Sequence, residues 1–203
     1  MPPFSYDSDL IGGSLQVRES RIIACLLLKN PSPDEWHQAI IANNLLQKRT
    51  HSTAKRIAQS IRKRLERLEP EFWRVLYEGD NDIATQVAFC ATLDRNLLLV
   101  EFMESVVQDA YLTHLANLNF YQWDEFLSDR ANKDTAILRW TASSRKKMGQ
   151  VVFRILAEMG YVENKRALKL QPVVIRPEVY AMLINYNKRR LLDCMRLSCR
   201  SSE

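Results

Sequence analysis

Long apolar runs, helix breakers and paired cysteines are scarce in this sequence, and each scarcity excludes something. The longest unbroken apolar stretch, residues 22–28, lies between Arg21 and Lys29. It falls far short of the roughly 20 residues that a bilayer core requires. Residues 1–10 carry neither a basic segment nor an apolar signal core, so no membrane span and no secretion signal are expected, and the chain is read as cytoplasmic. With 5 Gly and 7 Pro in 203 residues, the composition is not that of a disordered or low-complexity chain. Cys25, Cys90, Cys194 and Cys199 contain no C-x-x-C pair. They read as thiols of a reducing compartment, with a Cys194–Cys199 disulfide left open.

Catalytic signatures are missing as well. His37, His51 and His114 have no metal-ligating neighbour at helical spacing. Gly12-Gly13-Ser14 lacks the lysine and spacing of a phosphate-binding loop. Neither G-x-S-x-G nor H-E-x-x-H occurs. The expectation is a protein without catalytic residues, cofactor or metal.

What is present is helical periodicity around 46% hydrophobic residues, enough to bury a core. The pattern predicts an all-α protein, with one small β-hairpin near 161–175 as the sole β element it allows. Residues 1–14 read as extended and loosely ordered. Helices are expected over 15–29 (Leu15, Ile22 and Cys25 or Leu26 inward), 33–44, 50–68, 70–79 (Phe72, Trp73, Leu76 and Tyr77 inward), 80–94, 95–114, 121–130 and within 134–159. A last helix starts at Pro177, and fraying is expected from about Leu197. Read as two domains, the chain divides at Pro70, into 1–69 and 70–203.

Charge is sorted along the chain. Residues 1–44 are net −2, 45–69 net +6, 70–134 net −8 and 135–203 net +9, giving +5 in all. Blocks of this kind orient a protein toward a polyanion. On a helix of about 100° per residue, Ala54, Ile57, Ile61, Leu65 and Leu68 form one stripe, and Lys48, Lys55, Arg56, Arg62, Lys63 and Arg67 fall opposite. Like charges at i, i+4, here Lys63 and Arg67, repel, and cations in a first turn, here Lys55 and Arg56, oppose the helix dipole. A docked phosphate backbone offsets both; a plain solvated face or an acidic protein partner is the alternative.

The second basic region is Ser143-Ser144-Arg145-Lys146-Lys147, followed by Arg154 on the face opposite Met148, Val151, Val152, Ile155, Leu156 and Met159. Serine hydroxyls bond phosphate oxygens, and a helix starting at Ser143 would aim its first N–H groups at an anion. A start near Asp134 would remove that argument and leave the basic face. With Lys165, Arg166 and Lys169 on a hairpin, the region also has the outline of a winged helix-turn-helix.

Three strings together resemble the BrxA family of BREX phage-defence systems: Gly13-Ser14-Leu15 with Arg18-Glu19-Ser20; Asn44-Leu45-Leu46-Gln47-Lys48-Arg49-Thr50 with Ser52-Thr53; and Ser144-Arg145-Lys146-Lys147 through Gln150-Val151 and Arg154-Ile155-Leu156 to Gly160. The resemblance spans about residues 12–160. It implies a helical bundle similar to the NusB antitermination factor, acting beside the other BREX components, and it brings no catalytic motif.

The combined expectation is a non-enzymatic accessory subunit that binds duplex DNA with weak sequence specificity. The phosphate contacts would come from Lys48, Arg49, Lys55, Arg56, Arg62, Lys63, Arg67, Ser143, Ser144, Arg145, Lys146, Lys147 and Arg154, with Asn44, Gln47, Gln59 and Gln150 as candidates for base edges. The alternatives are an adaptor docking acidic surfaces of other BREX components, and RNA binding by analogy with NusB.

Overall fold

Helical periodicity is realised along the whole chain. The structure, a computed structural model, describes residues 6–7 and 9–197. In chain order its elements are a 3-10 turn (Asp9–Gly12), α1 (Val17–Leu28), α2 (Pro33–His37) continuing as a π-helical turn (Gln38–Ala42), α3 (His51–Leu65), α4 (Pro70–Glu78) and α5 (Asn81–Arg95). There follow α6 (Leu97–Phe102), a second π-helical turn (Met103–Val107), α7 (Gln108–Leu112), α8 (Tyr121–Arg130), a 3-10 turn (Thr135–Arg139), α9 (Ala142–Met159), α10 (Pro177–Asn185) and α11 (Arg189–Met195). No strand forms among the described residues. The segment considered for a hairpin makes two isolated antiparallel bridges, Val162 with Leu170 and Asn117 with Lys169, so the wing of a winged helix-turn-helix is not formed. Among the described residues no single helix is long and apolar enough to cross a membrane.

Local chemistry sets the helix ends. The Ser32 side chain accepts from the Glu35 N–H while the Glu35 carboxylate accepts from the Ser32 N–H, a reciprocal cap that holds the Glu35 carboxyl below its ordinary value. Thr50 caps α3 and Thr141 caps α9 in one direction only, each side chain accepting from a backbone N–H three residues on. Gly160 closes α9 in the left-handed region, φ 84°, where a side chain would be strained. Gly79 ends α4 with an ordinary φ of −65°. Glycine is needed there because a Cβ would stand 2.6 Å from the Val75 carbonyl oxygen.

The described residues belong to two compact units. The first comprises Leu15–Arg95 with Arg176–Met182; Pro70, the border expected from the sequence, lies inside it. α5 is its central helix, with Ile83, Ala84, Gln86 and the run from Val87 to Leu93 all buried. A helix apolar on every side belongs in a core. α4 packs on α5 and α1, and α3 packs on α1 and α5. The buried face of α1 is Ser20, Ile23, Ala24 and Leu27; Ile22, Cys25 and Leu26, expected inward, are half-exposed. Tyr77, also expected inward, is 46% exposed, whereas Trp73 donates its indole N–H to the Leu65 carbonyl at 2.7 Å and so closes the end of α3.

The second unit holds Asn96–Ile175, the residues before Leu15 and those from Leu183 onward. Its core is aromatic: Phe102 meets Trp123, Phe126 and Phe153 edge-to-face at 5.3, 5.3 and 6.0 Å. Each fully buried ring of this kind contributes about 2–3 kcal/mol. Of the residues before Leu15, 6–7 and 9–14 are more ordered than expected, and the rest lie outside the described residues. Tyr6 and Leu10 are buried, the Tyr6 N–H donates to Asp134 and its hydroxyl donates to Glu101, both at 2.8 Å. Tyr161 donates its hydroxyl to the Met195 carbonyl at 2.8 Å, fastening α11. Where the sequence predicts one last helix, Asn187 (φ 54°) separates α10 from α11. The expected fraying beyond Leu197 and the Cys194–Cys199 pair extend outside the described residues.

Candidate nucleic-acid interface

α3 forms because Ala54, Ile57, Ala58, Ile61 and Leu65 recur on one face and Thr50 accepts from the Thr53 N–H at 3.2 Å. Its polar face and the residues that flank it carry cations of three kinds. Arg49, Lys55 and Lys63 are exposed and meet no carboxylate among the described residues. Arg56 is exposed and has a partner interaction. Lys48, Arg62 and Arg67 are engaged by the chain's own acids. Lys48 Nζ lies 2.6 Å from Glu19. Arg62 Nε lies 2.6 Å from Glu66, with its guanidinium 4.6 Å above the Trp36 ring. Arg67 Nε donates to both the Asp94 carboxylate and the Asp94 carbonyl, at 2.7 and 2.8 Å. Arg64, absent from the sequence expectation, points into the protein at 5% exposure, 3.5 Å from the Thr92 hydroxyl.

The loop before α3 shows what two of the resemblance strings do. The Asn44 side chain bonds both backbone groups of Lys48 at 2.9 Å, from a left-handed backbone, φ 44°. Gln47 accepts from Arg18, Lys48 pairs with Glu19, and Leu46 is fully buried between them in sequence. Arg18-Glu19 and Gln47-Lys48 thus lock the loop onto α1. Asn44 and Gln47, expected at base edges, are committed to this structure; Gln59 and Gln150 stay exposed.

α9 begins at Ala142, one residue before Ser143. Its first turn is capped by Thr141, whose hydroxyl oxygen accepts from the Ser144 N–H at 3.1 Å. Ser143, Lys146, Lys147 and Arg154 are exposed; Ser144 and Arg145 are half-buried. Lys146, Lys147 and Arg154 form no ion pair among the described residues. Arg145 reaches the Ser128 hydroxyl at 3.4 Å, its buried Nε has no hydrogen-bond partner, and its carbonyl accepts from the Trp123 indole N–H at 2.9 Å.

Beside these cations a cavity of about 790 Å³ opens between the start of α8 and the first two turns of α9, with Phe120, Trp123, Arg145 and Lys146 in its walls. Sequence reasoning missed the aromatic side of this site. The available signal was Gly149, a glycine amid the buried face of α9: a Cβ there would stand 2.6 Å from Trp123 Cδ1.

Comparison with known proteins gives a consistent picture. The BrxA family model matches residues 5–187. A protein named BREX protein BrxA from Paramagnetospirillum magneticum is 36% identical over 193 residues, covering 95% of this chain and 97% of its own length. One of the same name from Escherichia coli strain HS is 34% identical over 187 residues, covering 92% and 88%. The crystal structure of an uncharacterized protein from Magnetospirillum magneticum superposes with a TM-score of 0.88 at 35% identity, covering 95% of this chain and 99% of that one.

Proposed function

Since the chain belongs to the BrxA family and is thereby a component of a BREX phage-defence system, we propose that it serves there as a cytoplasmic, non-enzymatic subunit that binds duplex DNA through its phosphates. The observation that carries this reading is the state of the α9 cations. Lys146, Lys147 and Arg154 project from an 18-residue helix, exposed and without a carboxylate partner among the described residues. Ser143 and Arg145 stand beside them. Arg49, Lys55 and Lys63 at α3 supply a second set of the same kind. Phosphate-directed cations give binding that ignores sequence and weakens steeply with salt, because each contact releases a condensed counterion. Other BREX components are the protein partners of this reading.

The test is a titration with duplex DNA, duplex RNA and single-stranded DNA at two salt concentrations. Duplex DNA should bind, and with about six phosphate contacts its affinity should fall about a thousandfold between about 50 and 200 mM salt. Preference for RNA would replace DNA as the ligand. Absence of any binding at low salt would leave the second reading, an adaptor for acidic protein surfaces. That reading draws on the same exposed cations, Lys146, Lys147 and Arg154, with carboxylates of the partner in place of phosphates.

A further inference from the structure

We infer that the cavity at the start of α9 is a guanine-nucleotide subsite, taking one purine and its phosphate. It shares Arg145 and Lys146 with the duplex-binding surface but rests on other observations. The first is an aromatic wall. Phe120 is 49% exposed, yet its ring is held edge-to-face against Phe153 at 4.7 Å, so an apolar face is presented without rotamer freedom. Trp123 behind it is buried, at 1% exposure, and is fixed by the hydrogen bond to the Arg145 carbonyl and by contact with Gly149, so it braces the wall that Phe120 presents. An exposed, immobilised aromatic ring is a platform on which an unstacked base settles.

The second observation is that the walls carry opposite charges. Asp124 stands on the α8 side, and Arg145 and Lys146 stand on the α9 side. A carboxylate only accepts hydrogen bonds. The guanine edge offers two adjacent donors, N1–H and the 2-amino group, which two carboxylate oxygens can accept together; adenine offers one donor beside an acceptor. The cations opposite suit the phosphate. A volume of about 790 Å³ lies within the usual range of small-molecule sites. The ligand is a guanine nucleotide, either free or unstacked at a strand end.

Calorimetry on the full chain distinguishes these sources and tests the subsite. GMP should bind saturably, and AMP should bind about tenfold more weakly, the discrimination that a bidentate pair provides. A duplex with one unpaired, 5′-phosphorylated guanine should compete with GMP; stronger competition than by the free nucleotide identifies the strand end as the source. Ala142→Trp, at an exposed position on the cavity wall, should abolish GMP binding and leave the affinity for blunt duplex DNA unchanged. Asp124→Asn should erase the preference for GMP over AMP. Phe120→Ala provides a second route to loss should the tryptophan variant lose its helical circular dichroism. Absence of GMP binding at millimolar concentration, or unchanged GMP binding in both Ala142→Trp and Phe120→Ala, overturns the subsite. Loss of blunt-duplex binding with GMP binding intact would refute the duplex reading alone.

Discussion

α3 and α9 look alike as sequences and differ as surfaces. Each begins at a capping threonine and sets an apolar stripe against lysines and arginines. Flanking α3, Lys48 and Arg67 are taken by Glu19 and Asp94, acids 29 and 27 residues distant in sequence, and on it Arg62 is taken by Glu66 one turn further on. On α9, Lys146, Lys147 and Arg154 are exposed and pair with no carboxylate among the described residues, and Lys146 lines a cavity with an aromatic wall. A helical wheel sorts residues onto sides of one helix. It does not reveal which carboxylates the rest of the chain brings to that side, and the balance of the two decides whether a basic face attracts a polyanion.

The largest expected effect breaks the comparison at its centre. Replacing Lys146, Lys147 and Arg154 by Glu should weaken duplex DNA binding by about a hundredfold or more at low salt and lower the slope of log affinity against log salt by about 3, one unit for each contact. Replacing Arg49, Lys55 and Lys63 by Glu should act in the same direction. Arg62→Glu with Arg67→Glu should differ in kind: each reversal sets a new carboxylate against Glu66 or Asp94, so stability falls along with affinity. Charge-reversal binding isotherms paired with thermal melts check all three. An equal loss of affinity in the third variant with unchanged melting would show that the Glu66 and Asp94 pairs do not hold in solution.

Packing is the next point of contrast, because each helix contains one position that tolerates no change. On α9 it is Gly149, where the Cβ of Gly149→Ala would lie 2.6 Å from Trp123 Cδ1; overpacking of this kind costs about 1–3 kcal/mol. On α3 it is Arg64, whose side chain is buried beside Thr92. Arg64→Ala should cost about 1–3 kcal/mol by removing hydrogen bonds and packing of the stem. It should leave DNA affinity unaltered, in contrast to Lys63→Ala one residue earlier. Denaturant unfolding with a parallel DNA titration separates the buried role of Arg64 from the surface role of Lys63.

Two tyrosines of the second unit set part of its response to base. In the second unit, burial holds the Tyr111 hydroxyl up at about 12. The Tyr6 hydroxyl stands at about 12 through burial first, with the hydrogen bond to Glu101 adding to it. A tyrosine whose folded value exceeds the ordinary 10 keeps its proton in the folded chain after the unfolded chain has released it. Its contribution is therefore complete below pH 10 and is lost as pH rises toward 12. Unfolding at stepped alkaline pH should show stability falling through that window. Tyr6→Phe and Tyr111→Phe should each flatten the fall; an unchanged profile in both would reject the buried hydroxyls as its cause.

Much of this was legible in the residues. The all-helical class followed from periodicity, and the start of α4 from Pro70. Lys55 and Arg56, expected in a first turn, are the fifth and sixth residues of α3 and so lie past it; the dipole argument lapses there, and the like-charged pair Lys63 and Arg67 is what marks the face as basic. Arg64 lies at the edge of the apolar stripe on the wheel, so its burial was within reach. Other features depend on contacts distant in sequence: the Arg18–Gln47 and Glu19–Lys48 lock, and the pocket formed where Phe120 and Trp123 meet α9. The face of α1 was misread because Ile22, Cys25 and Leu26 are as apolar as Ile23, Ala24 and Leu27, and a helix apolar on many sides gives periodicity nothing to choose between.

The smallest prediction turns on what α3 and α9 share. Thr50 accepts from the Thr53 N–H at 3.2 Å, and Thr141 accepts from the Ser144 N–H at 3.1 Å. In each pair the two hydroxyls also lie within hydrogen-bond distance, at 2.9 and 3.0 Å. Loss of an N-cap hydroxyl costs about 1 kcal/mol, so Thr50→Ala and Thr141→Ala should lower stability by similar amounts. Neither removes a charge, and so neither should alter the salt slope of DNA binding. Their effects on the guanine nucleotide should part company. Thr141 sets the first turn of α9, which carries Ala142, Arg145 and Lys146 to the cavity wall, so Thr141→Ala should weaken GMP binding a few-fold while Thr50→Ala leaves it unchanged. Equal GMP affinities in the two variants would mean that the cavity does not depend on the order of that turn.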